Sequence, residues 1–213
     1  KVLIVTGCMA QRYKNEIIEE VPEVDAVLGT TSYGDILKAI NEAMEGKHFE
    51  EFKDIDYLPE KLGKRVLTTG GHFGYLKIAE GCDKHCTYCI IPKLRGKFRS
   101  VPMERLVTQA KEMAEEGVKE LILVAQETTV YGTDIYGKKS LHVLLKELCE
   151  IKGIRWIRVL YCYPEEIYDE LIQTMKEEKK ICHYLDLPIQ HASDRILKRM
   201  GRRTTQAELV AIV

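Results

Sequence analysis

Short apolar runs alternate with segments of helical periodicity from the first residues of the chain. Apolar runs at residues 2–6 and 25–29 are typical of buried strands, and residues 9–20 and 33–44 follow them with helical patterns. This order predicts a small α/β unit in which Cys8 lies at a strand-to-helix turn. Ligands of open α/β sheets bind at that edge.

The same alternation resumes further along the chain and continues to its end. Each apolar run is followed by a helical pattern, and strands are expected at 74–80, 121–125, 154–161 and 184–189, with helices beginning near Ser100, Ser140, Pro164 and Ser193. Successive βα units with right-handed crossovers predict a parallel sheet, either in a barrel or in a doubly wound arrangement.

These patterns divide the sequence into three parts. Residues 1–45 are expected to form the first α/β unit. Residues 46–72 are charged and aromatic and are expected to form a linker. Residues 73–213 are expected to form the second domain. The sequence opens directly on an apolar run and ends within a helical pattern. We therefore expect it to be a fragment that lacks both ends of a longer protein.

Composition excludes several classes of protein. Hydrophobic residues make up 45% of the 213 residues and charged residues 31%, as in ordinary globular proteins. A formal net charge of −1 gives no general attraction for nucleic acid. No apolar run approaches the ~20 residues of a membrane span. Seven cysteines, an odd number, favour a reducing cytoplasmic location.

Three of these cysteines are close together in sequence. Cys82, Cys86 and Cys89 follow the spacing Cys-x3-Cys-x2-Cys. Three thiolates on one loop can hold three irons of a cubane cluster, whereas most protein-bound cubanes use four. The remaining iron would then be open to a small molecule. A zinc site usually adds a second, distant ligand pair, and a disulfide framework suits small secreted domains, so an iron–sulfur cluster is the favoured interpretation.

Polar side chains follow the later strands of the second domain. Gln126 and Glu127 end the second strand, residues 161–163 the third, and Gln190 and His191 the fourth. Barrel active sites lie at the carboxyl ends of the strands. The pattern therefore predicts that these residues gather near the cysteine loop.

The cysteine motif, with Tyr88 before its last cysteine, resembles that of radical S-adenosylmethionine (SAM) enzymes. This resemblance implies a partial (β/α) barrel in which the open iron of a 4Fe–4S cluster is chelated by SAM. The electron that cleaves SAM comes from the cluster, and the resulting radical abstracts hydrogen from the substrate. The resemblance further implies that Gln126 and Glu127 contact the SAM amino group and Tyr88 the adenine, with Gln190 a weaker candidate.

Each of these residues also has a purely structural interpretation. Tyr88 can serve packing alone, and Glu127 can be a carboxylate at a helix entry. Arg95 and Arg99 are expected to anchor loops. A cysteine within an apolar helix or strand pattern is by default a buried structural thiol. This interpretation applies to Cys149, Cys162 and Cys182.

Residues 5–13 are similar to the N-terminal domain of methylthiotransferases, a family of radical SAM enzymes. By that resemblance Cys8 is the third ligand of an auxiliary 4Fe–4S cluster, and the other two cysteines lie outside this sequence. A lone cysteine after a strand is otherwise more often a small core residue. Residues 90–100, 125–132 and 160–164 resemble the branch that modifies a ribosomal protein rather than tRNA.

The resemblance implies an enzyme that adds a methylthio group to the β-carbon of an aspartate in the twelfth protein of the small ribosomal subunit. It would consume two SAM molecules and require a reducing electron donor, without a membrane partner. No residue is assigned as a general acid or base. One alternative is a methylthiotransferase that acts on an adenosine derivative in tRNA, and only this one would involve nucleic acid. Another is a zinc- or cluster-bearing binding module without chemistry.

Overall fold

The structure, a computed structural model, describes residues 1–58, 66–68 and 70–212. It divides into two compact units, Lys1–Leu62 with Ile90–Lys97, and Gly63–Cys89 with Phe98–Val213. Residues 59–65 and 69 of the predicted linker lie outside the described residues. Another part of that linker, Phe49–Glu51, forms a strand of the first unit.

The first unit is a parallel sheet with short helices. Its elements in the described residues are strands β1 (Ile4–Thr6), β2 (Ala26–Leu28) and β3 (Phe49–Glu51), helices α1 (Cys8–Glu20), α2 (Ile36–Met44) and α3 (Ile91–Arg95), and a 3-10 turn at Tyr33–Asp35. The sheet order is β1-β2-β3, and both strand pairs are parallel. The predicted strands and helices of residues 2–44 are present, with the strands shorter than expected.

Alternation along β2 places apolar side chains on both faces of this sheet. Val27 packs in a core cluster with Ala10 and Ile17 of α1, whereas Ala26 and Leu28 cluster with Ala39 of α2. Successive strand residues point to opposite faces, so a central parallel strand reads as a continuous apolar run.

Helix α2 buries one face and exposes Leu37. The side chain of Leu37 is 72% exposed, while Ala39 and Ala43 are buried. The inward face of α2 contains Ile36 and the residues three, four and seven positions after it, at 39, 40 and 43. Leu37, one residue on, is rotated by ~100° away from that stripe.

The second unit is built on a parallel sheet with helices between its strands. Its strands in the described residues are β4 (Phe73–Lys77), β5 (Ala79–Glu80), β6 (Arg99–Ser100), β7 (Glu120–Val124), β8 (Trp156–Val159) and β9 (Ile181–Leu185). Its helices are α4 (Met103–Glu115), α5 (Thr133–Tyr136), α6 (Leu141–Cys149), α7 (Asp169–Glu177), α8 (Asp194–Arg199) and α9 (Gln206–Ile212), with a 3-10 turn at Pro164–Glu166.

Strand order resolves the choice between a barrel and a doubly wound sheet. The parallel sheet runs β4-β7-β8-β9, so consecutive strands are always neighbours. A doubly wound sheet reverses its order at a switch point, whereas a barrel does not. The described strands therefore form part of a (β/α) barrel, as predicted, and β5 pairs with β6 in a separate antiparallel ribbon.

Three predicted boundaries in this unit are wrong. The helix expected to begin near Pro164 begins at Asp169, after the 3-10 turn at Pro164–Glu166. Ser100 lies in β6 rather than at a helix cap, and its N–H and hydroxyl both donate to Asp134, at 2.8 and 2.6 Å. The last strand was expected at 184–189 but occupies Ile181–Leu185. Its pairing with β8 contains a register shift, and Pro188 further along lacks the N–H that a ladder requires.

The core of the second unit lies between the sheet and its helices. Leu76, Leu121, Leu123 and Ile157 of the sheet are fully buried. Helix α6 contributes four leucines, at positions 141, 144, 145 and 148, that are also fully buried. Among the helices of the described residues, none combines the length and apolarity needed to cross a bilayer.

Two glycines on either side of α5 allow a test of how tightly the loop after β7 is packed. Gly132 has φ +88°, and a Cβ there would lie 2.7 Å from Cβ of Ser140, whereas Gly137 has φ +70° and open space around it. Left-handed backbone costs a non-glycine residue about 1–2 kcal/mol, and overpacking adds about 1–3 kcal/mol. We expect Gly132→Ala to lower the free energy of unfolding by the backbone cost and the overpacking cost together. Gly137→Ala should lower it by the backbone cost alone. Urea unfolding of the two variants measures the difference, and equal losses would show that the close approach to Ser140 is unimportant.

Candidate functional site

The cysteine loop follows β5 and begins with a sharp turn. Gly81 has φ +77°, a conformation that glycine adopts without steric cost. The thiols then differ in exposure. Cys82 and Cys86 are 6% and 7% exposed, whereas Cys89 is exposed.

Two hydrogen bonds from Thr87 fasten this loop to the end of α8. The N–H of Thr87 donates to the carbonyl of Met200 at 3.0 Å, and its hydroxyl donates to the carbonyl of Arg199 at 3.0 Å. Gly201 comes so close that a Cβ there would lie 3.0 Å from the carbonyl oxygen of His85. The loop is therefore positioned by a helix more than a hundred residues later in the sequence.

The two buried thiols have hydrogen-bond partners. The N–H of Lys84 lies 3.4 Å from Sγ of Cys82, and the hydroxyl of Tyr163 lies 3.6 Å from Sγ of Cys86. Burial raises the pKa of the Cys82 thiol because it penalises the thiolate. Coordination by a metal would offset that penalty, since a coordinating thiol is deprotonated.

No three His, Cys, Asp or Glu side chains converge on a single ion position within residues 1–58, 66–68 and 70–212. In a cubane cluster each thiolate binds a different iron, so its ligands need not converge on one point.

A cavity of about 260 Å³ opens beside the cysteine loop. It is lined by residues that follow several strands, including Cys82, Cys86, Glu127 and Tyr163, and by Arg202, which follows helix α8. Parallel strands bring their carboxyl ends to one edge, and β7 and β8 deliver Glu127 and Tyr163 there. The structure therefore brings two predicted cysteines and one predicted SAM-contacting residue to one cavity.

Glu127 is a buried carboxylate with one free oxygen. It is 1% exposed, and its Oε1 accepts from the N–H and hydroxyl of Thr129 and, at 3.4 Å, from the N–H of Tyr163. Burial raises the pKa of Glu127 to about 7, although these hydrogen bonds act in the opposite direction. Its Oε2 is buried and has no hydrogen-bond partner. Because three donors orient Oε1 within the turn, Oε2 is left as the acceptor that a ligand can use.

The remaining predicted site residues are not among the described residues that line this cavity. Tyr88 is 53% exposed, and Cys89 is exposed as well. Gln126 is half-buried, and its Oε1 lacks a partner. Gln190 is exposed with φ +65°, and His191 accepts a 2.9 Å hydrogen bond from the N–H of Ser193, which gives it a local structural role.

Several polar residues of the cavity were not found by sequence reasoning. Lys84 pairs with Glu166, which also pairs with Lys139 at 2.9 Å. Arg202 is only 6% exposed. It follows a helix whose last turn is basic, a position where cations usually serve the helix dipole on the surface. Hydrophobic periodicity therefore contained no signal that its side chain would be buried.

Cys8 lies in the first unit, as the first residue of α1 at the carboxyl end of β1. It is half-buried, and Nε of Arg95 donates to its sulfur at 3.1 Å. The hydroxyl of Thr30 donates to the carbonyl of Leu94 at 2.8 Å, which ties α3 to the loop after β2. Within this unit Cys8 thus lies at the sheet edge where the sequence predicted it.

The other cysteines differ in burial. Burial raises the pKa of Cys149 to about 11 and that of Cys162 to about 12, so both remain thiols at neutral pH. Cys162 also contacts the hydroxyl of Thr128 at 3.4 Å. Both are inert packing groups, whereas Cys182 is half-buried.

Comparison with characterised sequences identifies close relatives. The chain is 68% identical over 213 residues to the ribosomal protein uS12 methylthiotransferase RimO of Lachnoclostridium phytofermentans, covering all of the chain and 48% of that relative. It is 51% identical over 210 residues to the protein of the same name from Clostridioides difficile. The chain therefore spans about half the length of these relatives.

Solved structures with the same fold are radical SAM enzymes of low sequence identity. The cobalamin-dependent enzyme OxsB, with aqua-cobalamin and SAM bound, matches 99% of this chain and 34% of its own, with a TM-score of 0.63 and 14% identity. The radical SAM methyltransferase TsrM from Kitasatospora setae matches 67% of this chain and 28% of its own, with a TM-score of 0.51 and 16% identity.

The family model described as the radical SAM superfamily matches residues 76–213, which include the cysteine loop, the strand ends and the cavity. Membership implies one 4Fe–4S cluster and SAM. The cysteine spacing, the barrel order of the strands and this match agree. The chain belongs to the radical SAM superfamily.

Proposed function

We propose that this protein is a methylthiotransferase that modifies an aspartate of ribosomal protein uS12 at its β-carbon. The observation that carries the proposal is the identity of 51–68% with proteins named for that activity, over nearly the whole chain. The cavity beside the cysteine loop supports it. The first unit is then part of the N-terminal domain of a methylthiotransferase, and residues 73–213 are part of the radical SAM barrel.

Cys82, Cys86 and Cys89 are the proposed ligands of the SAM-binding cluster. When bound, that cluster and SAM supply the electron and the radical for hydrogen abstraction. The residues around these cysteines position the loop. Tyr163 contacts Cys86, and the bonds of Thr87 hold the loop in place.

Glu127 is the proposed acceptor for the amino group of SAM. Its free, buried Oε2 supports this role, because a buried acceptor without a partner is costly unless a ligand completes it. Gln126, on the same strand end, has a free Oε1 and is a second contact. Tyr88 and Gln190 are exposed, so their assignment to the adenine and the SAM pocket rests on the family resemblance.

Cys8 is proposed as one ligand of a second 4Fe–4S cluster, with two further cysteines outside these 213 residues. The contact from Arg95 supports this role, because its Nε donates a hydrogen bond to the Cys8 sulfur, and hydrogen bonds to the sulfurs are a usual feature of iron–sulfur sites. The second cluster is the proposed site where sulfur is held before transfer. A reducing electron donor and a cytoplasmic location complete the proposal.

A peptide assay tests the function. The full-length enzyme, with its clusters reconstituted, is incubated with SAM, dithionite and a uS12 peptide containing the target aspartate. We expect mass spectrometry to show the added mass of one methylthio group on that peptide. No addition is expected on a peptide with asparagine in place of the aspartate. An unmodified aspartate peptide together with methylthiolated tRNA would overturn the proposal in favour of the tRNA-modifying class.

Replacement of Cys8 tests the second cluster. We expect Cys8→Ala in the full-length enzyme to lower the measured iron and sulfide content from that of two clusters to that of one. SAM cleavage should persist, because the three cysteines of the loop are intact, while methylthiolation should be lost. Cys182→Ala, which changes a half-buried cysteine of strand β9, is the matched control and should keep both. Full iron content in Cys8→Ala would contradict this assignment.

Replacement of Glu127 tests the cost of its burial. The pKa of Glu127 in the folded chain is about 7, above its ordinary 4.5, so folding favours the protonated form. The stability contributed by this group is therefore present below pH 4.5 and is lost as pH rises to about 7. We expect Glu127→Gln to stabilise the cofactor-free full-length protein by about 3 kcal/mol at pH 8 and by much less at pH 5. The same variant should bind SAM more weakly.

Urea unfolding at the two pH values measures this effect, with Glu115→Gln, an exposed helix carboxylate, as the control. A Glu127→Gln variant that is less stable than the parent at pH 8 would show that hydrogen bonds to this carboxylate outweigh its desolvation.

A further inference from the structure

Tyr163 places a buried phenol hydroxyl against one sulfur of the cysteine loop. The residue is 5% exposed, and its hydroxyl oxygen lies 3.6 Å from Sγ of Cys86, which is 7% exposed. Either atom can donate while the thiol is protonated. A coordinating thiol is deprotonated, whereas a phenol keeps its proton at neutral pH. With Cys86 bound to a metal, the hydroxyl is therefore the donor and the sulfur the acceptor.

The backbone of Tyr163 is restricted by the residue that follows it. A residue before a proline is confined largely to the extended region, and Pro164 follows here. Tyr163 has φ −64° and ψ 127°, as this restriction requires, and its N–H lies 3.4 Å from Oε1 of Glu127. The point from which the ring extends is therefore fixed by the chain itself.

Two cations and a second ring hold the ring of Tyr163. The guanidinium carbon of Arg202 lies 4.1 Å from the ring centre, and Nζ of Lys84 lies 5.2 Å from it. The ring of Tyr161 packs against it at a centroid distance of 5.8 Å and an interplanar angle of 65°. Both cations are themselves paired with carboxylates of the 3-10 turn after β8. The hydroxyl therefore cannot swing away from the sulfur without breaking these contacts.

Burial and charge both increase the effect of this hydrogen bond. Tyr163 and Cys86 are nearly inaccessible to water, and a hydrogen bond is electrostatically stronger in such a region than in water. A hydrogen bond to a charged acceptor is roughly twice as strong as a neutral one. Because an added electron increases the negative charge on the sulfur ligands, the bond is stronger in the reduced state than in the oxidised state.

We propose that Tyr163 raises the reduction potential of the SAM-binding cluster by donating a hydrogen bond to the Cys86 thiolate. Hydrogen bonds to the sulfurs are among the factors that set such potentials. One electron enters from the reducing donor, and the hydroxyl keeps its proton. Tyr163 acts through Cys86 and is thus a positioning residue. Its consequence for the reaction is that a weaker reductant is able to supply the electron.

Tyr163→Phe removes the hydroxyl oxygen and keeps the ring between Arg202 and Lys84. The midpoint potential is measured by a redox titration followed by EPR, on the full-length, cluster-loaded enzyme without SAM. The signal of the loop cluster is identified in a separate sample by the change that added SAM produces in it. We expect Tyr163→Phe to lower the equilibrium constant for reduction about tenfold, which is about 59 mV for a one-electron couple.

Tyr131→Phe is the matched control for the loss of a buried hydroxyl. Tyr131 is fully buried, and its hydroxyl donates to the carbonyl of Val101 at 2.8 Å rather than to a cysteine. Both variants lose one buried hydrogen bond, so urea unfolding should show similar losses of stability. Only Tyr163→Phe should shift the potential. Equal shifts in the two variants, or no shift in Tyr163→Phe, would overturn the proposal.

A second tyrosine near the same thiol allows a comparison of donors. Tyr88 also lies near Cys86, but it is 53% exposed, so water can replace its hydroxyl. We expect Tyr88→Phe to shift the potential less than Tyr163→Phe does. A larger shift in Tyr88→Phe would assign the donor to Tyr88 and refute the role of Tyr163.

Replacement of Tyr163 by 3-fluorotyrosine serves as the test if Tyr163→Phe does not fold or load its cluster. The ring fluorine is small, and it makes the phenol a stronger hydrogen-bond donor. The potential should therefore rise above that of the wild type, opposite in sign to the effect of Tyr163→Phe. An unchanged or lower potential would contradict the proposal.

The inference rests on the proposed function, in which Cys86 is a ligand of the SAM-binding cluster. Cys86→Ala tests that assignment separately and should abolish the EPR change that SAM produces. If Cys86→Ala keeps this change, the ligand assignment is wrong and the role of Tyr163 falls with it. If Cys86→Ala loses it while Tyr163→Phe has the wild-type potential, the role of Tyr163 alone is refuted. The potentials do not depend on the substrate, so failure to modify the uS12 peptide would refute only the proposed substrate.

Discussion

Parallel pairing of β7 with both β4 and β8 is the constraint on which the rest of the second unit depends. Residues 73–77 pair with 120–124, and residues 120–123 pair with 156–159. All three strands therefore end at one edge. The cysteine loop follows the ribbon strand β5, just after β4, and Glu127 and Tyr163 follow β7 and β8. Barrel enzymes place their active sites at this edge, where residues that follow several different strands come together.

Tyr163 connects the charges of the cavity to the cysteine loop. Its hydroxyl contacts Cys86, its N–H contacts Glu127, and its ring lies against Arg202. A single residue thus contacts an anion, a cation and a thiol that belong to distant parts of the chain, the anion through its backbone N–H and the other two through its side chain. The exposure of this residue is 5%, so these contacts are made in a region of low dielectric, where each of them is stronger than in water.

Much of the fold could be predicted because burial imposes a period on the sequence. The fully apolar strand β7 and the leucine face of α6 were found at the expected places. The errors lie where a tertiary contact competes with a local signal. Ser100 binds Asp134 and pairs in β6 instead of capping a helix, and the last strand contains a register shift in its pairing with β8 and ends at Leu185, before Pro188. Local propensity does not register partners that are distant in sequence.

The sequence by itself determined the class of chemistry, because the spacing of Cys82, Cys86 and Cys89 on one loop depends on local geometry alone. It also determined that Glu127 ends a strand. Tertiary structure decided that Arg202 is buried and lines the cavity that Glu127 also lines. That pairing arises from where α8 meets the cysteine loop through Thr87 and Met200. A contact between residues so far apart has no period and no motif, so only the folded chain shows it.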